Sequence, residues 1–413
     1  MPEPEAPRPS LRIAYLSSDF GVPVVGTGGK SVHLQETVTA LRRRGHAVRV
    51  FSPAAPAAEE GSEDVHRLAF VGFPEEVARL LEVDLPEPKH LRREWGRILY
   101  SEYAQKALLP LLEDFRPDVL YERYSLFGYA GAELARRLGI PLLLEVNAPL
   151  AREQATYREL VLERTANALE QRILNAADAL FVVSSELGRH ARGLGVPAER
   201  ITVLPNAVDP EQFHPGVSGL DVRARLGLDG KTVVGFVGSL KPWHDVGTLL
   251  GAMQLLFAEH PDTHLLVVGT GPREAALREL DEPWLTCTGA VDHERIPELM
   301  AAMDVVVVPY GRDSVTYFSP LKLFEAMAMG KPVVGARIGQ VAEILGDKKT
   351  GLLYEPSSPR DLAARIADIL AAPDRGEQLG EAARLEVVQQ RTWDRNAGQI
   401  ESVAARLLAT TRP

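Results

Sequence analysis

A chain of 413 residues is long enough for two or three domains at roughly 150 residues each, every one with room for a buried core. The 46 Lys and Arg against 56 Asp and Glu leave a net charge of −10, and 45% apolar with 25% charged residues is an ordinary globular balance. That acidic balance excludes a dedicated nucleic-acid binder, which carries a basic domain or stripe, but leaves room for a local basic groove around a small anion. The one cysteine, Cys287, excludes an intramolecular disulfide and cannot by itself build a zinc or iron–sulfur site. The start, MPEPEAPRPS, lacks the basic-then-apolar pattern of a secretory signal. No run approaches the ~18 apolar residues that span a bilayer, so a cytoplasmic setting is expected.

After a leader over residues 1–10, short β-branched runs alternate with helical patterns. LRIAYLSS reads as a strand, SVHLQETVTALRRRG as an amphipathic helix ending in basic residues, and VRVFSP as a second strand. The Ala-rich stretch 54–63 reads as a mobile loop. KHLRREWGRILYSEYAQKALLPLL, residues 89–112, fits a half-buried helix better than a membrane-docking one, although its Arg and aromatic residues allow contact with an anionic surface. DVLYE, PLLLEVN, ALFVVS and ITVLPN follow as strands. A second series begins near Lys231 with TVVGFVG, HLLVVG, LTCTG, MDVVVVPY, PVVGA and GLLYE. The apolar runs are continuous rather than alternating, as in parallel strands covered on both faces. Two doubly wound α/β domains are therefore expected, over residues 11–205 and 206–385, with a terminal helix over 386–413. A ligand of nucleotide size is expected in a central cleft beyond the strand ends.

Three segments carry the chemistry. In GTGGKSVHLQE, Gly28 and Gly29 allow a close backbone approach and the following helix offers free amides to an anion; a plain strand–helix turn is the alternative. Gly29-Lys30-Ser31 ends like a phosphate loop, but position 24 is Val24 where that motif needs glycine, so a nucleoside triphosphatase is unsupported. In VGSLKPWHD, Lys241 and His244 sit just past a strand end, and Lys241 is the better cation because histidine is largely neutral at pH 7. In YFSPLKLFEAMAMGKPVVGA, Ser319 is expected to cap a helix beginning at Pro320. The Leu321 and Lys322 amides would then be open to an anion, with Glu325 one turn on to accept from a diol. Against each stands an ordinary structural role: a solvated loop lysine, or a capped core helix. VGTGP, residues 268–272, is an incomplete dinucleotide fingerprint and a weak pointer to a nicotinamide enzyme. His33 and Asn147 are polar residues at expected cleft edges.

Taken together, GGKSVHLQETVTALRRRGHAV, ADALFVVSSELG, VLPNAVDPEQFHP, VGSLKPWHDVGTLL and FSPLKLFEAMAMGKPVVGARIGQVAEIL resemble glycosyltransferase family 4 in content and order, from about residue 12 to 355. The resemblance implies a GT-B fold, two Rossmann-like domains facing a cleft, and a retaining sugar transfer from a nucleoside-diphosphate sugar to an acceptor hydroxyl. It implies donor binding by Gly28, Gly29, Ser239, Lys241, His244, Ser319, Pro320, Leu321, Lys322 and Glu325, with Lys241 and Glu325 as the catalytic pair. It implies no bound metal or other cofactor, since helix amides and cations offset the diphosphate charge. The departures are specific: the first acid of the family's pair falls at Tyr317, with Asp313 as a possible substitute. The usual Arg is Ser239, the usual Lys aligns with His244, and the histidine of the N-terminal cleft is Asn147. His33, Asn147, Asp313 and Tyr317 are thus the candidates for acceptor or sugar contact. The alternatives within the fold are an epimerase and a non-catalytic nucleotide-sugar binder. The terminal helix is expected to cross back to the N-terminal domain. Acceptor, donor base and oligomeric state carry no code in these residues.

Overall fold

The computed structural model describes residues 10–56, 64–70, 88–314 and 316–411. Most of the expected leader, and residues 57–63 of the expected Ala-rich loop, lie outside the described residues. The chain divides into two compact units, one made of the residues up to Leu204 together with those from Asn396, the other of Pro205–Arg395. A cut at 385 falls inside the helix Pro373–Gln390, which belongs whole to the second unit.

The first unit is a seven-stranded sheet of β1 (Arg12–Ser17), β2 (Ala47–Ser52), β3 (Val65–Arg67), β4 (Val119–Arg123), β5 (Leu142–Val146), β6 (Ala179–Val182) and β7 (Ile201–Val203). All pairings are parallel, in the order β3-β2-β1-β4-β5-β6-β7. Every residue of β4, β5 and β6 is buried, as expected for parallel strands covered on both faces. Strand β3, only Val-His-Arg, has no periodicity to read and exists because β2 offers it an edge. The helix Pro88–Phe115 buries Leu91, Tyr100, Ala104, Leu108 and Leu112 while leaving Trp95, Leu99 and Tyr103 exposed. The last helix, Trp393–Thr411, gives its residues from Asn396 on to this unit, where Glu401 lies 2.9 Å from Arg44 and 3.6 Å from His46. Among the described residues no helix is long and apolar enough to cross a membrane.

The second unit is a six-stranded parallel sheet of β8 (Thr232–Val237), β9 (Thr263–Val268), β10 (Leu285–Cys287), β11 (Val305–Val308), β12 (Val333–Ala336) and β13 (Leu352–Tyr354), ordered β10-β9-β8-β11-β12-β13. Strands β9, β11 and β12 are buried along their whole length and pack with helices such as Val246–Glu259 and Leu321–Ala328 in one core. In each sheet the strand order reverses once, between β1 and β4 and between β8 and β11. Doubly wound sheets place their ligands beyond the carboxyl ends of the strands at such a reversal.

The VGTGP segment has a packing explanation. Gly269 (φ +131°) touches the loop after β8 so closely that a Cβ there would lie 2.1 Å from the Gly238 carbonyl oxygen. Leu240 N–H also donates to Thr270 O at 2.9 Å. These glycines join two loops, and that close approach accounts for them without a dinucleotide.

Candidate active site

In the second unit the sequence-predicted residues converge on the reversal between β8 and β11, though not as the sequence suggests. The helix Leu321–Ala328 has Pro320 at its cap position and no side-chain cap. Ser319 does not cap it: the Ser319 hydroxyl instead accepts the Asn206 backbone N–H at 2.9 Å, and the Asn206 carboxamide donates to the Ser319 carbonyl at 2.6 Å. Pro320 accordingly precedes the first turn rather than opening it. The Leu321 and Lys322 N–H groups remain among the first-turn donors that no intrahelical carbonyl can reach.

Lys322, expected to act through its amide, also buries its side chain. Its ammonium lies 3.0 Å from His244 Nε2, 4.5 Å from the centre of the Phe236 ring and 5.6 Å from that of Tyr310. Gly238 (φ +145°) lies over it, and a Cβ at 238 would sit 2.7 Å from Nζ. Burial lowers the Lys322 pKa to about 7, partly offset by the charge of Glu325.

His244 is not the diphosphate-facing cation that its position implies. It is buried, its Nδ1 donates to the Ser239 carbonyl, and its Nε2 is turned to Lys322. A carbonyl can only accept, so Nδ1 carries the proton and Nε2 presents a lone pair to the Lys322 N–H. Burial first, then the Lys322 charge, lower the His244 pKa to about 2, and the ring is neutral. Ser239 is exposed and takes part through its backbone oxygen. Lys241 stands half-exposed over the Trp243 ring at 5.8 Å, and Asp313 is exposed. Tyr317 is buried. Glu325 is buried, and its Oε1 meets His293 Nε2 at 3.0 Å. His293, which the sequence reading passed over, packs on Phe213 with ring centres 5.5 Å apart.

In the first unit, His33 and Asn147 are brought together by a residue that the sequence reading missed, Glu145 on β5. Tyr121 Oη donates to Glu145 Oε2 at 2.7 Å, Arg123 to Oε1 at 2.8 Å and Asn147 Nδ2 to Oε1 at 2.5 Å, while His33 Nε2 lies 2.9 Å from Oε2. The register explains the cluster, since Arg123 stands directly opposite Glu145 across β4 and β5. Tyr121, two residues earlier on the same face, is stacked between Tyr15 and Phe181. Although burial raises it, the His33, Arg123 and Asn147 donors hold the Glu145 carboxyl far below the usual carboxylate range. The available signal was a glutamate inside the otherwise apolar run PLLLEV. Gly28 caps the helix Gly29–Arg43 with φ −75°, and a Cβ there would meet nothing within 4 Å. Neither backbone conformation nor packing within the protein calls for glycine at 28.

Glu122, next to Arg123 but facing the other way, has no such partners. It is fully buried, both carboxylate oxygens lack a well-formed hydrogen bond, and its Oε2 rests where a Cβ on Gly131 would be, 2.2 Å away. Burial raises its pKa to about 8, the Gly131 N–H offsetting part of the effect.

Two family models match in tandem: "Glycosyltransferase Family 4" over residues 27–212 and "Glycosyl transferases group 1" over 231–372. A D-inositol 3-phosphate glycosyltransferase of Segniliparus rotundus is 29% identical over 396 residues, covering 90% of this chain and 84% of the relative. A GDP-mannose-dependent alpha-mannosyltransferase of Mycobacterium tuberculosis is 28% identical over 407 residues, covering 96% and 98%. Among solved structures, sucrose-phosphate synthase of Thermosynechococcus elongatus superposes with TM-score 0.72 at 24% identity, covering 97% of this chain and all of that one. Anabaena HepE in complex with UDP gives TM-score 0.72 at 20% identity, covering 96% and 100%. Two parallel doubly wound sheets with these structural counterparts define the GT-B fold. The tandem matches place it further: the chain belongs to glycosyltransferase family 4, whose members are retaining enzymes.

Proposed function

We propose that the second unit binds a nucleoside-diphosphate sugar at the β8–β11 reversal and that the first unit binds the acceptor. The observation that carries this is the convergence of Lys322, the open amides of its helix and Glu325 on one turn beyond the strand ends. Helix amides with a cation among them make an anion site, here for the diphosphate. Glu325, oriented by His293, would accept from the ribose diol. As the bond from the sugar to the diphosphate breaks, negative charge grows on the leaving oxygen, and the Leu321 and Lys322 amides with the Lys322 ammonium are placed to stabilise it. The acceptor hydroxyl would attack from the face that the diphosphate leaves and pass its proton to the departing phosphate, which retains the anomeric configuration. No metal is needed for this charge balance. On the first unit, the open space beside Gly28 leaves room for a ligand.

Both named relatives use polyol or sugar chemistry: one is named for D-inositol 3-phosphate, the other for GDP-mannose. The acceptor class proposed is therefore a polyol or glycan hydroxyl, met in the first unit by Asn147 and His33. In a nucleotide-sugar transfer assay, Lys322→Met and Glu325→Ala should each lower the rate at least tenfold, about 1.4 kcal/mol of transition-state stabilisation. Lys241→Ala should cost less than either, because Lys241 is half-exposed and turned to Trp243. Full activity of both Lys322→Met and Glu325→Ala would overturn the site.

A further inference from the structure

The side chains around Lys322 determine more than where a diphosphate would sit. We propose that His244 is a positioning residue that holds the Lys322 amine beneath the Gly238 loop, and that binding of a nucleoside diphosphate draws a proton from solvent onto that amine. This inference rests on the donor site proposed above.

The imidazole is fixed at both ends. Its Nδ1–H is spent on the Ser239 carbonyl, which leaves only the Nε2 lone pair, at 3.0 Å from Nζ, to face the lysine. The ring is further held between Tyr310, Trp243 and Phe236, with centroids 5.2, 6.1 and 5.7 Å away. It therefore acts as a fixed acceptor with one direction open. The groups facing Nζ can be named from each packed element: His244 from the loop after β8, Phe236 from β8, Tyr310 from just beyond β11, and Glu325 on its own helix. Asp245, next to His244, is turned away to Thr248 and Ser357, and His293 stands behind Glu325. Among the described residues no carboxylate lies within ion-pair distance of Nζ. The amine is thus buried at the positive end of a helix with no anion against it. An incoming diphosphate supplies that anion. Consistent with this, burial lowers the Lys322 pKa to about 7. An adjacent diphosphate raises it, so the complex binds a proton that the free protein mostly lacks above neutrality.

The test is calorimetric titration of the full chain with UDP, GDP, ADP and TDP at pH 6.0 and 8.0, each in two buffers of different ionisation enthalpy. Wild type should take up about 0.1 proton more than Lys322→Arg at pH 6 and close to 1 more at pH 8, following a lysine of pKa about 7. Lys322→Arg, charged at every pH used, should bind without the uptake. Lys322→Met should bind at least tenfold more weakly and also without it. His244→Phe keeps the ring packing but removes the lone pair, and should weaken binding at least fivefold and shift the uptake midpoint. His244→Gln, whose carboxamide oxygen can accept from Nζ, should restore part of both. Binding with equal uptake in wild type and Lys322→Arg overturns the inference and leaves the donor site standing. So does a His244→Phe variant with wild-type affinity and uptake. No binding of any of the four, while the chain still melts cooperatively, overturns the donor site and this inference with it.

Discussion

Glu145→Ala should cost the first unit about 3–5 kcal/mol, the usual penalty for removing one partner of a buried ion pair and leaving the other charge uncompensated. Arg123 is 6% exposed and donates to Glu145 at 2.8 Å, so without that carboxylate its guanidinium stays buried with no counter-charge there. The loss also strands the Tyr121 hydroxyl and the Asn147 amide, which donate to the same group. Glu145→Gln should lie between, since a carboxamide has one acceptor oxygen where four donors converge. The pH dependence follows from the depressed carboxyl. Its contribution is complete above the unfolded-chain value near 4.5 and is lost as pH falls below it toward the folded value. Denaturant melts of wild type and Glu145→Ala at pH 7 and pH 3.5 should therefore differ strongly at the first and less at the second. A difference under about 1 kcal/mol at pH 7 would show that the cluster is not the buried ion pair described above.

Glu122→Gln should have the opposite effect, a gain in stability that grows with pH. In the fold the Glu122 carboxyl holds its proton up to about pH 8, whereas in the unfolded chain it ionises near 4.5. The folded state therefore binds the extra proton across that window, and wild-type stability falls as pH rises through it. Each pH unit in the window costs about 1.4 kcal/mol, so the sum is on the order of 3 kcal/mol by pH 8 after allowance for relaxation around a buried group. Glutamine keeps the shape and carries no proton to lose. Melting curves at pH 5 should nearly coincide, and at pH 8.5 the variant should melt higher by roughly 5 °C or more. Equal melting temperatures at both pH values would mean that Glu122 ionises in place.

These two carboxylates illustrate where the sequence is legible. Continuous Val- and Leu-rich runs such as DVLYE and PLLLEVN announce buried parallel strands, because burial on both faces of a parallel strand leaves no alternation. They do not announce which acid within a strand is paired, since that depends on register. Glu145 faces Arg123 across the ladder, whereas Glu122 sits opposite Leu144 and rests on Gly131. In the second unit, the motif from Tyr317 to Glu325 marks the helix and its open amides. The destination of the Ser319 hydroxyl was set by Asn206, 113 residues away, and no local capping rule could foresee it. Lys322 was visible as a backbone donor because helix position fixes its amide. Its side chain lies buried against His244, 78 residues earlier in the chain, a contact that spacing does not encode. Separation in sequence likewise hid His293 beside Glu325, which is 32 residues further on. Strand β3 escaped because three residues give no period.

A nucleoside-diphosphate site in the second unit that requires no metal can be tested with a thermal-shift panel. UDP, GDP, ADP, TDP, their sugars and NAD would each be added with and without EDTA. At 100 times its dissociation constant a ligand adds about 2.7 kcal/mol to the state it binds. A metal-independent nucleoside-diphosphate site should give a clear upward shift with one nucleoside diphosphate and its sugar, unchanged by EDTA and absent with NAD. No shift with any nucleoside diphosphate, or a shift with NAD alone, would contradict it.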